Sequence, residues 1–182
     1  MTAASTANTV ESRLYLLEAR AEIGDVMQRY ADAADEKYRA TIGKKPAEAI
    51  LRAAQAQAAC FTEDARWSGG RFGGEIQGRE QLVLFFRESP WLFTAHHYGS
   101  PSFRFEAQGA FVRWRLFEIG VREPDTKLLL LSGVVAQKWT VASQGWRIAD
   151  MAFERLYSVE LAPNPDLLTC LVPTGATIER DR

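Results

Sequence analysis

Two cysteines in 182 residues, Cys60 and Cys170, stand far apart and form no CxxC pair. That excludes a cysteine-built zinc site and gives no indication of a disulfide framework. There is no excess of positive charge either, with 22 basic against 23 acidic residues and a formal net charge of -1. The arginines are spread without a cluster, so the field that nucleic-acid binding needs is missing. Long apolar runs are missing as well. A stretch such as LLLLSGVVA (Leu128–Ala136) is too short to span a bilayer. The opening MTAASTANTVES is polar and lacks the basic-then-apolar pattern of a secretory signal, so the expectation is a cytoplasmic protein with no membrane partner. No P-loop, no GxGxxG turn and no G-x-S-x-G elbow occurs, which removes nucleotide-binding and serine-hydrolase readings. Histidine is scarce too: both imidazoles sit side by side in WLFTAHHYGSPSFRF (Trp91–Phe105).

What is present has an ordinary globular composition, 47% hydrophobic and 25% charged. Glu11–Lys37 reads as a helix, with Ile23, Met27, Tyr30 and Ala34 at helical spacing. Pro46–Phe61 reads as a second, alanine-rich helix with proline in its first turn. Ala65–Gly78, with glycine pairs at Gly69-Gly70 and Gly73-Gly74, suggests two short strands around a turn. Arg79–Glu88 is a third short helix, terminated by Pro90. Four strand-like runs follow: His96–Phe105, Ala110–Arg122, Lys127–Val141 and Gly145–Val159. Their separators, EAQG, EPDT and ASQG, are short and turn-forming, so the strands must pair as antiparallel hairpins. The fold class expected is α+β, with N-terminal helices packed on a strongly curved antiparallel sheet and a pocket between them. Residues 1–160 form the domain, and 161–182 a proline-rich tail.

This order resembles the nuclear-transport-factor-like superfamily, in its SnoaL-like and scytalone-dehydratase-like branch. The resemblance runs from about Arg20 to Tyr157 and is carried by EIGDVMQRYADAADEK, FTEDARW, GGEIQGREQLVLFF, HHYGSPSFRF and QGWRIADMAFER. In enzymes of the branch an aspartate lies near the end of the first helix, with a tyrosine or lysine five residues earlier. Asp35 and Tyr30 match those positions. The HYG run resembles the segment that carries the catalytic histidine, pointing to His97, while other members place histidine one position earlier, at His96. Two departures stand out. The linker KYRATIGKKPAEAIL is longer than the branch pattern, and Val135 and Gln137 occupy the places where the branch often has a tyrosine and an acid.

Adjacent strand residues point to opposite faces. Counting by twos from His97 reaches Gly99, Pro101, Phe103 and Phe105, the more apolar set, so His97 is expected to face the pocket and His96 its rim. Pro101 is the residue at which a bulge would upset that count. Tyr30 and Asp35 lie about 140° apart on a regular helix. For both to reach one site, the helix must end or bend near Ala33–Asp35. Trp67, Trp91, Trp114 and Phe153, with His96, are the expected substrate-binding wall, though such aromatics also serve as plain core. Asp150 and Glu154 could supply a second inward acid or lie at a surface edge.

A histidine paired with a buried carboxylate is a base at neutral pH. His97 with Asp35, and Tyr30 as hydroxyl donor, would then support elimination of water, isomerisation or cyclisation of a small hydrophobic cyclic substrate. That chemistry calls for no cofactor and no metal. A homodimer or homotrimer is implied by the resemblance. A non-catalytic binding or assembly protein on the same fold is the alternative, and hydrolysis with water activated by Asp35 is a third reading. Neither cysteine has an activating signature.

Overall fold

The computed structural model describes residues 9–70 and 73–161. The expected tail, and Cys170 with it, lies outside the described residues. Three helices, α1 (Val10–Asp35), α2 (Ala47–Ala58) and α3 (Arg79–Arg87), interleave with strands β1 (Phe61–Gly70), β2 (Gly74–Gln77), β3 (Trp91–Glu106), β4 (Gly109–Arg122), β5 (Leu128–Ala142) and β6 (Gly145–Glu160). Every expected element is found, with ends shifted by a few residues.

Helix α1 starts where the Thr9 hydroxyl accepts the Ser12 N–H at 3.1 Å, an N-cap bond that satisfies one of the first-turn donors. Its stripe of Ile23, Met27, Tyr30 and Ala34 is buried, as the spacing predicts. The strands form one sheet in the order β2-β1-β6-β5-β4-β3, antiparallel throughout except for the parallel β1–β6 pair. Two-residue turns join β3 to β4, between Glu106 and Gly109, and β5 to β6, between Ala142 and Gly145. The sheet is curved and unclosed. Register shifts in β1, β3 and along β5–β6 supply the local bends that such curvature requires.

Alternation along β4 is strict. Ala110, Val112, Trp114, Leu116 and Glu118 are buried against the helices, while Arg113, Arg115 and Phe117 face outward. Helix α1 crosses this inner face against β3 and β6, with α2 behind it. The concave face is therefore filled at one end by side chains and left partly open at the other, near the C-terminus of α1.

Candidate active site

The end of α1 meets β3 at the two histidines, and a bulge decides which one turns inward. Gly99 pairs with Arg115 but Ser102 pairs with Arg113, so β3 carries one extra residue there, with Ser100 at φ 47. The count by twos breaks at that point. Phe103 and Phe105 are inward together with His96 and Tyr98, not with His97. His97 is exposed on the outer face, its ring 6.5 Å from Phe117. The expected orientation of the pair is thus reversed: His96 lines the pocket.

Asp35 is the last residue of α1, and its carboxylate reaches across to β3. Oδ1 accepts from the Thr94 hydroxyl at 2.7 Å and contacts His96 Nδ1 at 2.6 Å, while Oδ2 accepts the His96 backbone N–H at 2.9 Å. Burial alone would raise this carboxyl, but the His96 ring and N–H and the Thr94 hydroxyl outweigh it and hold Asp35 below the usual carboxylate range. With Asp35 ionised, Nδ1–H is the donor and the imidazole tautomer is fixed. The other ring nitrogen, Nε2, faces Glu118 Oε2 at 3.4 Å. Burial would lower His96, yet Glu118 and Asp35 together raise it above its ordinary value. Glu118 is raised in turn, by burial first and partly offset by His96 and Lys37. Nε2 and Oε2 can face each other favourably only if a proton lies on one of them. The two groups therefore hold one proton between them, at a separation longer than a tight charge-assisted bond.

The 140° between Tyr30 and Asp35 is resolved without a kink. Tyr30 points into the pocket from mid-helix, buried at 3% exposure, whereas Asp35 ends the helix and supports His96 from behind. Burial raises the Tyr30 hydroxyl well above its ordinary pKa, so it is a neutral donor. Its ring packs edge-on to Tyr98, and Tyr98 in turn stacks on His96 at 6.1 Å. The long linker after α1 is a tethered strap. It closes on itself through the Tyr38–Lys44 bridge, and Gly43 N–H donates to Leu92 O at 2.8 Å. Lys44 pairs with Glu123, and the Tyr38 hydroxyl bonds Ser89 Oγ at 2.6 Å. By this anchoring the strap contributes Lys37 and Tyr38 to the pocket wall.

The cavity measures about 130 Å³ and is lined by the apolar side chains of Tyr30, Trp67, Phe86, Trp91, Phe153 and Leu156 together with Lys37, His96 and Glu118. An apolar cavity of about 150 Å³ accepts benzene, so this space suits a single ring. Gly120, on the same face of β4 as Glu118, would set a Cβ 3.0 Å from the Trp91 ring, so its lack of a side chain leaves room for that indole in the cavity wall. A larger concavity of about 620 Å³ between α1 and α2 is lined by alanines with Arg29, Arg52, Arg147 and Cys60. Burial pushes the Cys60 thiol up to about 11 there, the opposite of an activated nucleophile.

Of the expected residues, Tyr30, His96, Trp67, Trp91 and Phe153 line one pocket, and Asp35 holds His96. Trp114 does not belong to it. It lies at the filled end, where its indole N–H donates to Gln137 at 2.7 Å. Asp150 and Glu154 pair with Arg66 and Arg113 away from the pocket. Glu118 and Lys37 were not expected. The strict alternation of VRWRLFE, with Val112, Trp114 and Leu116 inward, was the signal available for Glu118. No periodic signal marks Lys37. Among the described residues no three acidic, cysteine or histidine side chains are placed to hold a metal ion, and both nitrogens of His96 are already turned toward carboxylates.

The family model described as SnoaL-like domain matches residues 51–152. No curated protein matches the chain. Among solved structures, hexachlorocyclohexane dehydrochlorinase LinA type 3 from Novosphingobium barchaimii is similar at a TM-score of 0.68 and 17% identity, covering 83% of this chain and 95% of that one. A protein provisionally named scytalone dehydratase, from Novosphingobium aromaticivorans, gives 0.65 at 17% identity, covering 84% and 93%. A nuclear transport factor 2-like superfamily protein from Salmonella enterica gives 0.61 at 15% identity, covering 77% and 92%. At these identities the likeness is one of fold.

Proposed function

The chain belongs to the SnoaL-like domain family, and from that premise we propose that it is a cofactor-independent lyase or isomerase that moves a proton on a small, hydrophobic, single-ring substrate. The observation that carries this reading is the His96 imidazole held between Asp35 and Glu118 at the polar wall of an otherwise apolar cavity. Binding alone does not require a buried imidazole between two carboxylates, and groups that perturb one another's protonation at a cavity wall mark a site suited to proton transfer. Asp35 is the positioning residue. His96 and Glu118 are the catalytic pair.

The pair starts with one shared proton. It can therefore give that proton to a departing hydroxyl and take another from the neighbouring carbon, ending as it began. The C–H electrons form the new double bond and water leaves. In isomerisation the proton returns to a different carbon of the same ring. The dehydratase and dehydrochlorinase names among the structural neighbours are in keeping with elimination chemistry. The exposed outer face bearing Phe117, Tyr157 and Val159 is the surface we assign to a homodimer or homotrimer, checked by sedimentation of wild type against Tyr157→Lys.

Dehydration of β-hydroxycyclohexanone and isomerisation of its unconjugated enone, followed by enone absorbance, test the catalytic reading. Turnover that is lost in His96→Gln and Glu118→Gln and retained in His97→Gln is the expected outcome. If no elimination, isomerisation or solvent-deuterium exchange occurs while single-ring ligands bind equally to wild type and His96→Gln, the chain is a binding protein.

A further inference from the structure

The strap places a buried ammonium on the pocket wall whose hydrogen-bonding capacity is not filled. Lys37 is 5% exposed, and its Nζ donates to Gln57 Oε1 at 3.0 Å and to Phe86 O at 3.2 Å. An ammonium carries three N–H donors, and two acceptors are present among the described residues. Both are neutral oxygens, so neither balances the charge. The Phe86 ring lies 5.7 Å from Nζ and contributes a cation–π contact without using a donor. Lys37 lies two residues past the end of α1, where the helix dipole favours a cation, and it lines the same cavity as His96 and Glu118.

We infer that Lys37 is the oxyanion-holding group of this site, and that the substrate is therefore a cyclic ketone or enone whose carbonyl oxygen takes the third N–H. The inference rests on the proton-transfer reading and adds the substrate class to it. When His96 and Glu118 remove a proton from the carbon beside the carbonyl, the electron pair moves onto that oxygen. No bond to nitrogen forms. A preorganised cation on the wall of a mostly apolar cavity stabilises such an enolate far better than the neutral ketone. Burial pulls the Lys37 amine down to about 8, with Asp35 and Glu118 acting in the opposite sense, so the cation is the prevailing form at neutral pH. The other titratable groups lining this space are Tyr30 from α1, Tyr38 from the strap, His96 from β3 and Glu118 from β4, while Asp35 lies behind His96 and Tyr98 stacks on it.

A phenolate is a stable, single-ring imitation of the enolate, which makes para-nitrophenol a probe that reads Lys37 independently of turnover. On wild type, bound nitrophenol should ionise at lower pH than in solution, and the phenolate should bind more tightly than para-nitrotoluene. Lys37→Met should remove that preference, weakening phenolate roughly ten- to a hundredfold and leaving nitrotoluene affinity unchanged. Should that variant fail to fold, wild type alone is informative: phenolate affinity, corrected for the ligand's own ionisation, should fall as pH rises through about 8. Equal phenolate binding in wild type and Lys37→Met overturns the inference, and so does loss of the preference in Tyr30→Phe with Lys37→Met unaffected. Borohydride trapping of cyclohexenone on Lys37 also overturns it, since a covalent imine would make the amine a nucleophile. Failure of the proton-transfer reading shows differently, as absent turnover with the phenolate preference intact.

Discussion

Two polar clusters lie beneath α1, and they differ in what their atoms still have to do. At the filled end Gln137 is 1% exposed, and its Oε1 accepts both the Trp114 indole at 2.7 Å and the Trp139 indole at 3.0 Å. Its amide Nε2 rests 3.3 Å from Met27 Sδ. Nothing there titrates in the ordinary range, and the cluster is closed on itself. At the open end Asp35, His96, Glu118 and Lys37 shift one another's protonation, His96 and Glu118 hold one proton between them, and all but Asp35 border a cavity. A polar group in a core is structural when its valences are met by fixed neutral partners. It is available for chemistry when a donor is left unmet, or when its partners are charges whose balance a ligand can change.

Substitution at the open end should break activity more than anything else. His96→Gln should lower kcat by ~10²–10⁴, whereas His97→Gln, one residue away on the outer face, should leave stability within about 0.5 kcal/mol and turnover unchanged. Steady-state rates on the enone-forming substrates and urea unfolding of both variants make that comparison. Asp35→Asn should also reduce kcat, through the wrong tautomer, and should move His96 from above its ordinary value back toward it, which an NMR titration of both proteins checks. The pH dependence of stability follows in sign. Asp35 is depressed in the folded state, so its contribution is present above the unfolded carboxyl value and lost as pH falls through the folded one. His96 is raised, so its contribution is full below its unfolded value and lost as pH rises through the folded one. In Asp35→Asn both limbs should flatten.

At the filled end the expectation is reversed. Gln137→Leu leaves two indole N–H groups without an acceptor and should cost ~2–4 kcal/mol in urea unfolding, with His96 titrating as in wild type. A displaced His96 titration in that variant would show that the two clusters are one network and that the division drawn between them is wrong.

Lys37→Met separates the clusters through the pH dependence of stability. Lys37 titrates at about 8 in the folded protein against 10.5 for the ordinary side chain. Between those values the unfolded chain binds more protons than the folded one, so wild-type stability should rise with pH relative to the variant. A pH-independent difference between the two would mean that Lys37 is not buried as an ammonium.

The difference between the ends also explains what could be read in advance. Helices, strands and hairpins were legible because apolar periodicity and turn residues are local signals, and the α1 stripe and β4 alternation carried them clearly. Asp35 and Tyr30 were reached through the resemblance, and Trp67, Trp91 and Phe153 by their aromatic character. The choice between His96 and His97 was not, because a single extra residue near Pro101 inverts the phase of Phe103 and Phe105 relative to the histidines. A bulge depends on how β3 bends against α1, which no window of sequence contains. Trp114 and Trp67 are both inward tryptophans, and which of them meets the cavity depends on position along the sheet. Lys37 was illegible for a related reason: its burial arises from the strap's attachments to Leu92, Glu123 and Ser89, all distant in sequence.

The finest test of the open end is one methyl group. A Cβ on Gly120 would meet the Trp91 ring at 3.0 Å, so Gly120→Ala must push the indole outward by a few tenths of an ångström or tilt it. Because Trp91 lines the cavity and touches none of the titrating groups through a hydrogen bond, the His96 and Lys37 titrations should stay where they are. Affinity for single-ring ligands should weaken by no more than the ~1–3 kcal/mol that overpacking costs, with para-nitrotoluene and para-nitrophenolate affected alike. Equal loss for the neutral and the charged ligand would identify the aromatic wall as a shape filter that acts independently of charge. A loss confined to the phenolate would mean instead that Trp91 helps to keep water away from Lys37, and that cavity shape and oxyanion stabilisation are coupled.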